Sequence, residues 1–126
     1  MKLRYIVTAV DERRAGVEYL KKHIPDLEVE WDIAKRPPDS HMETFLNARR
    51  RVAVDEGAIY FEDDVCLTKN FTSKALSVIH ERPLDLVQFF CRSVKDQTIG
   101  ARYDTYFSSN CCVYYPPGFS QRVVDY

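Results

Sequence analysis

Ala58-Ile59-Tyr60-Phe61-Glu62-Asp63-Asp64-Val65 is a short apolar run that ends in three consecutive carboxylates. The apolar residues predict a buried strand. Adjacent negative charges repel one another, so three of them where a buried strand emerges favour a site for a hard divalent cation. A helix cap or a solvated loop is the alternative explanation of an acidic triplet.

Strands and helices alternate on both sides of this run. Asp11 and the capping-box sequence Ser40-His41-Met42-Glu43 mark two helix starts, and Gly57 marks a helix end. The order predicts one α/β domain over residues 1–126, a three-layer sandwich with a mainly parallel open sheet that binds ligands at the carboxyl ends of its strands. The predicted elements are strand 4–10, helix 13–23, strand 27–32, helix 40–56, strand 58–61, a helix from Asn70 or Thr72 that stops before Pro83, strands 85–91 and 110–115, and the opening of a helix over 119–124.

The second predicted helix carries a charged residue on its apolar face. Helical spacing places Arg49 on the inward stripe, where it needs a partner. The other members of the stripe are Met42, Phe45, Leu46, Val52 and Ala53.

Composition narrows the class of protein. Of the 126 residues, 45% are hydrophobic and 13% aromatic, which predicts a folded globule. The net charge of −1 gives no general reason to expect nucleic acid or an anionic membrane as partner.

No apolar stretch approaches membrane-spanning length and the amino terminus has no signal-peptide pattern, so we expect a cytoplasmic protein. No CxxC spacing is present, and buried reduced thiols are predicted for Cys66, Cys91, Cys111 and Cys112.

An open sheet of this kind gathers the charged strand ends along one rim. Asp11, Asp32 and the triplet Glu62 to Asp64 supply carboxylates there. Basic residues close in sequence supply cations for phosphate groups: Arg13, Arg14, Lys35, Arg36, and the run of three arginines at 49–51. A nucleotide diphosphate with a bridging metal suits both signs of charge.

Phe61-Glu62-Asp63-Asp64-Val65-Cys66-Leu67, followed by Phe71, resembles the DxD-type motif of the GT-A-fold glycosyltransferases, in the version of the lipopolysaccharide glycosyltransferase family 25. Ser40-His41, Asn47 and Gly57-Ala58-Ile59 also match that family, and the resemblance spans about residues 4 to 92. GT-A enzymes are usually longer and carry acceptor-binding segments after the last motif found here, so the resemblance implies a short or truncated version.

The resemblance implies transfer of a sugar from a nucleotide-diphosphate donor to an acceptor hydroxyl on a carbohydrate or glycan, with Mn²⁺ or Mg²⁺ as cofactor. It makes Asp64 the main metal ligand, with Glu62 as a second. The implied donor-binding residues are Thr8, Ala9, Val10, Arg13, Asp32, His41, Asn47, Glu62 and Asp63. An inverting enzyme also needs a carboxylate base, for which the downstream candidates are Asp96, Asp104 and Asp125.

Two other functions use the same residues. A metal-dependent nuclease or phosphohydrolase also gathers carboxylates at strand ends, and Lys69 or an arginine would polarise phosphate. The near-neutral charge does not supply the long basic groove that nucleic acid requires. A catalytically silent nucleotide-sugar-binding or interaction module is favoured by the short chain and by an aromatic cluster of Tyr103, Tyr106, Phe107, Tyr114 and Tyr115.

Overall fold

The computed structural model describes residues 1–34, 39–89 and 111–126, which form a five-stranded sheet and four α-helices. A 3₁₀ turn at Asp11–Arg13 precedes the first α-helix. The elements in chain order are β1 (Leu3–Ala9), α1 (Arg14–His23), β2 (Glu28–Trp31), α2 (Asp39–Arg50), β3 (Gly57–Glu62), α3 (Phe71–Glu81), β4 (Val87–Gln88), β5 (Cys112–Tyr115) and α4 (Phe119–Asp125).

The sheet has the strand order β2-β1-β3-β5-β4. β1 pairs in parallel with β2 and β3, whereas β5 is antiparallel to both β3 and β4. β5 therefore runs against the other four strands, and the sheet is mixed where a mainly parallel one was predicted. A fully buried strand is apolar on both faces whichever way it runs, so its sequence carries no record of its direction.

The two parallel connections explain why helices cover both faces of the sheet. β2 and β3 lie on opposite sides of β1, so two right-handed crossovers place α1 and α2 on opposite faces. Leu20 of α1 and Ile79 of α3 pack on the face that carries Phe61, while Ala48 of α2 packs with α4 on the face that carries Tyr60. This arrangement is compatible with the predicted three layers.

β3 lies at the centre of the sheet. All its residues from Gly57 to Phe61 are buried, and each fully buried large apolar side chain, such as Ile59, contributes about 1.5–3 kcal/mol to folding. Thr8 of β1 is in register with Glu62 of β3. The acidic triplet therefore begins where β3 leaves the sheet beside the end of β1.

α2 differs from its prediction in length and in its buried face. It ends at Arg50, and Gly57 begins β3 rather than ending the helix. Ser40 lies inside the helix, where its hydroxyl donates to Asp32 instead of capping. Its buried side chains are Ser40, Thr44, Ala48 and Arg49, while Met42 is 58% exposed. Ser40 and Thr44 are buried because the first turns of α2 lie at the carboxyl ends of β1 and β2, a contact that helical periodicity cannot reveal. Asp11 likewise lies in the 3₁₀ turn, and α1 has no side-chain cap.

Arg49 is 2% exposed and has aromatic partners. Its guanidinium carbon lies 3.5 Å from the centroid of the Phe45 ring and 3.9 Å from that of Tyr60. Burial lowers the pKa of Arg49, and its Nε has no hydrogen-bond partner within the described part of the chain. Aromatic ring faces attract cations, so the rings of Phe45 and Tyr60 are the partners that Arg49 needs on its apolar stripe.

The cysteines divide between core and surface. Cys112 is buried, and burial raises the pKa of its thiol, as expected for an inert core residue. Cys111 is half-buried, while Cys66 is exposed because it lies beyond the end of β3, so the prediction that all these thiols are buried is wrong for Cys66. Cys91 lies outside the described residues. None of the helices in residues 1–34, 39–89 and 111–126 has the length and apolarity needed to cross a membrane.

Candidate ligand-binding cleft

A cleft of about 300 Å³ opens at the carboxyl ends of β1, β2 and β3. The connection after β1 leads to β2 at one side, whereas the connection after β3 leads towards the other side of the sheet. The carboxyl ends of β1 and β3 therefore form a switch point, and open α/β sheets bind ligands at such points. The cleft is lined by Thr8, Ala9, Val10, Arg13, Asp32, His41, Thr44, Glu62 and Asp63.

Asp32 forms one wall of the cleft at the end of β2. Its backbone amide donates to the carbonyl of Ala9 over 2.8 Å, which continues the ladder between β1 and β2 by one residue. Its side chain is only 4% exposed, and its Oδ2 accepts from the hydroxyl of Ser40 and lies 3.5 Å from Nδ1 of His41. The start of α2 thus holds a buried carboxylate at the edge of the cleft.

Asp63 forms the opposite wall and is 6% exposed. Its two oxygens have different partners: Oδ2 accepts from the backbone amide of Val10 over 2.9 Å, and Oδ1 accepts from the guanidinium of Arg13 over 3.1 Å. A buried carboxylate is stable when it is paired and hydrogen-bonded in this way. Asp63 therefore ties the end of β3 to the start of the connection after β1.

Arg13 is the basic residue of the cleft. Its hydrogen bond to Asp63, and the charges of Asp63 and Asp64, raise the pKa of Arg13. The nearest oxygen of Asp64 lies 3.5 Å away, and the Arg13 side chain is 57% exposed. The guanidinium retains open donors on its solvent side and can contact an anion that enters the cleft.

The acidic triplet fits a divalent metal only in part. No three His, Cys, Asp or Glu side chains of residues 1–34, 39–89 and 111–126 converge in a group that could hold one. Both oxygens of Asp63 are engaged. Among the described residues, the side chain of Glu62 has no hydrogen-bond or ion-pair partner, and that of Asp64 pairs with Arg13 alone. Glu62 and Asp64 therefore offer two carboxylates. Mg²⁺ sites often use one or two protein carboxylates, with phosphate oxygens and water as the other ligands.

Eight of the nine predicted donor-binding residues line the cleft, and Asn47 does not. Asn47 accepts from Arg50 on the exposed side of α2, because it lies almost two turns beyond His41. Arg14 pairs with Asp11 and stacks 4.5 Å over the ring of Trp31.

Other charged residues predicted near the rim also lie elsewhere. Arg49 is enclosed by aromatic rings, and Arg51 pairs with Glu30 of β2. Asp125 ends the exposed last turn of α4 and does not line the cleft. The candidates Asp96 and Asp104 lie outside the described residues, as do Lys35, Arg36, Tyr103, Tyr106 and Phe107.

Three residues near the cleft were not predicted. Thr44 lines it one turn after Ser40, a spacing that the capping motif could have suggested. Gly16 lies so close to the carbonyl oxygen of Asp63 that an added Cβ would be 2.0 Å from it. The hydroxyl of Tyr19 accepts from the backbone amide of Leu67 over 2.9 Å. No local pattern marks the last two, because their partners lie 47 and 48 positions away along the chain.

Comparison with known protein families, with curated proteins and with solved structures gave no match to this chain.

Proposed function

We propose that this chain binds a nucleoside-diphosphate sugar in the cleft and transfers the sugar to an acceptor hydroxyl. The observation that carries the proposal is the pairing of two unlike walls across one cleft at the switch point of the sheet. One wall is a buried hydrogen-bond acceptor, Asp32, and the other combines Arg13 with the acidic end of β3. A ligand could place a neutral hydrogen-bonding part against the first wall and an anionic part against the second.

Asp32 is suited to the nucleoside part of such a ligand. Its carboxylate accepts hydrogen bonds from N–H or O–H groups, and Ser40 and His41 hold it in place. The hydroxyl groups of Thr8 and Thr44 line the same cleft and add donors and acceptors.

Arg13 is suited to the diphosphate. Its planar guanidinium can donate two parallel hydrogen bonds to phosphate oxygens. It lies next to carboxylates that fix its position, so it stabilises the negative charge that develops on the leaving diphosphate at little cost in reorganisation. A bound Mn²⁺ or Mg²⁺ supplies further positive charge to that leaving group, and Glu62 and Asp64 are the residues to hold it.

A binding module without transfer is the second candidate. Asp32 and Asp63, the two buried carboxylates of the cleft, are both engaged by neighbouring groups. The remaining carboxylate among the described residues of the cleft is Glu62, which is assigned to the metal. These residues therefore supply no further carboxylate as a base for the acceptor hydroxyl, which favours binding without transfer.

Titration calorimetry tests the proposal with a panel of nucleoside-diphosphate sugars that differ in base and sugar, each in Mn²⁺ and in chelator. We expect one class of donor to bind, and to bind more tightly in Mn²⁺ than in chelator. Without the metal, the negative phosphates are repelled by the acidic triplet. Arg13→Gln should weaken this binding, and Arg50→Gln, which removes the same charge outside the cleft, should not. If no donor binds in either condition, the proposal is wrong.

Product analysis then separates the candidates. Release of nucleoside diphosphate with sugar joined to an acceptor supports a transferase, and binding without release supports the silent module. Cleavage of nucleic acid in the same buffer would instead identify a metal-dependent nuclease.

A further inference from the structure

The turn that carries the acidic triplet, residues 62–67, lies against the first half of α1. Two contacts fix it there. The backbone of Asp63 meets Gly16 so closely that no side chain fits between them. Three residues further along the same helix, the hydroxyl of Tyr19 accepts the amide hydrogen of Leu67.

These contacts hold the turn at both ends. Residues 16 and 19 are about 4.5 Å apart along a rigid helix axis. The chain between the two fixed points contains Asp64, whose side chain is 57% exposed and pairs, among the described residues, with Arg13 alone. The position of Asp64 therefore depends on how firmly its neighbours are held, and loss of the Leu67 contact frees one end of the turn.

We infer that Tyr19 is a positioning residue, which acts through the Leu67 amide to hold Asp64 in the geometry that ligand binding needs. The inference rests on the proposed function, because it assigns Tyr19 a role in that cleft. A displacement of about 1 Å in a binding group can cost about a hundredfold in rate, so a single hydrogen bond at the far end of a short turn has a measurable effect.

Tyr19→Phe tests the inference because it removes the hydroxyl and keeps the ring, which packs on the core and lies 4.6 Å from the ring of His23. Tyr114→Phe is the matched control. It also removes a hydrogen-bonded hydroxyl away from the acidic turn, which contacts the carbonyl of Pro83 over 2.7 Å and Sδ of Met1 over 3.6 Å. The two variants should lose similar stability, about 1 kcal/mol.

Hydrogen exchange of the ligand-free proteins is the first measurement. We expect the amides of residues 64–67 to exchange about tenfold faster in Tyr19→Phe, and to be unchanged in Tyr114→Phe once the global stabilities are matched. Unchanged exchange in Tyr19→Phe, or equal acceleration in both variants, overturns the inference. This measurement needs no ligand, so a failure of the inference here is distinguishable from a failure of the proposed function, in which no nucleotide sugar binds.

Donor affinity is the second measurement. In a wild type that binds a nucleotide sugar, Tyr19→Phe should weaken binding about fivefold to tenfold, whereas Tyr114→Phe should bind as the wild type does. Faster exchange of the turn with unchanged affinity makes the hydroxyl merely structural and overturns the inference.

Discussion

Asp63 and Asp64 are neighbours with opposite surroundings. Asp63 is buried and bonded through both oxygens, while the side chain of Asp64 is 57% exposed. Removing a charge affects stability mainly where the charge is buried and paired. We therefore expect Asp63 to matter for stability and its neighbour Asp64 to matter for ligand binding.

Asp64→Asn should keep the fold and lose metal-dependent donor binding. An exposed carboxylate beside two other acidic residues contributes little to the core, so the melting temperature should hold or rise slightly. Any sugar transfer should fall by about a hundredfold. Calorimetric melting and turnover on the same preparation measure both effects, and an unfolded variant would make Asp64 structural.

Asp63→Asn is the companion variant and should behave differently. It removes the charge that pairs with Arg13 and leaves an amide nitrogen beside a backbone N–H or a guanidinium. Its stability should fall by about 1–3 kcal/mol.

Arg49 poses a different question, because it is a buried cation without a carboxylate partner in the described part of the chain. Arg49→Met keeps most of the side-chain volume and removes the buried charge, so the free energy of unfolding should stay within about 1 kcal/mol or rise. Arg49→Ala should lose about 2–4 kcal/mol through the cavity. Urea denaturation measures both, with exposed Arg50→Met as control. A large loss in Arg49→Met would show that cation–π attraction dominates.

At the scale of elements, α1 packs against the acidic turn beside the cleft, and it contains a glycine that is unfavourable in a helix. A glycine inside a helix costs about 1 kcal/mol relative to alanine, yet Gly16 lies in the first turns of α1. The close carbonyl of Asp63 explains this choice, since the backbone of the acidic turn occupies the place of a side chain.

Gly16→Ala should therefore destabilise the protein by about 1–3 kcal/mol, because the steric term outweighs the helix-propensity gain of about 1 kcal/mol. Ala15→Gly, at the exposed neighbouring position, measures the propensity term alone. Thermal unfolding decides the sign. If Gly16→Ala proved more stable than the wild type, α1 and the turn could separate freely.

The beginnings of β1, β2 and β3 are joined by an ion network. Arg4 of β1 bonds to Glu28 of β2 and to Glu56, which precedes β3. The hydrogen bond from Arg4 lowers the pKa of Glu28, and the backbone amide of Ala53 is the main cause of the lowered pKa of Glu56.

Both carboxyl groups bind protons less readily in the folded chain, so their stabilisation is present above the ordinary pKa of 4.5 and is lost as the pH falls through the folded values. Glu28→Gln should lower stability at pH 7 by about 1–2 kcal/mol and flatten its loss in acid. Urea midpoints measured from pH 7 down to 3 test this. Glu18→Gln, whose partner Lys21 is 3.9 Å away on an exposed helix face, should follow the wild type.

For the whole molecule, the sequence predicted what local patterns encode. β3 and its acidic end were predicted because apolar continuity and charge are visible in a few residues. The cleft followed because the carboxyl ends of parallel strands lie at one edge of the sheet. The exclusion of Asn47, the aromatic partners of Arg49 and the contacts of Gly16 could not be predicted. Each depends on which side of an element meets a distant segment, and the direction of β5 depends on chain connections that its four residues do not encode.

Because both helical layers pack on the same central strands, β3 and β5, neither can remain folded without the other. We expect one unfolding transition, with equal midpoints by far-ultraviolet circular dichroism, which follows the helices, and by amide exchange in β3. Different midpoints would show that one layer melts first.

Trp31 is the only tryptophan of the chain, and it stands at the end of β2 next to Asp32, with Arg14 across one face of its ring. Trp31 directly precedes Asp32 in the wall of the cleft, so we expect its emission to respond to a charged ligand bound there. Its emission is an optical reporter that needs no dye or label. A nucleotide that binds between the ends of β1 and β2 would change that emission. Stopped-flow fluorescence would then measure the rates of association and release directly.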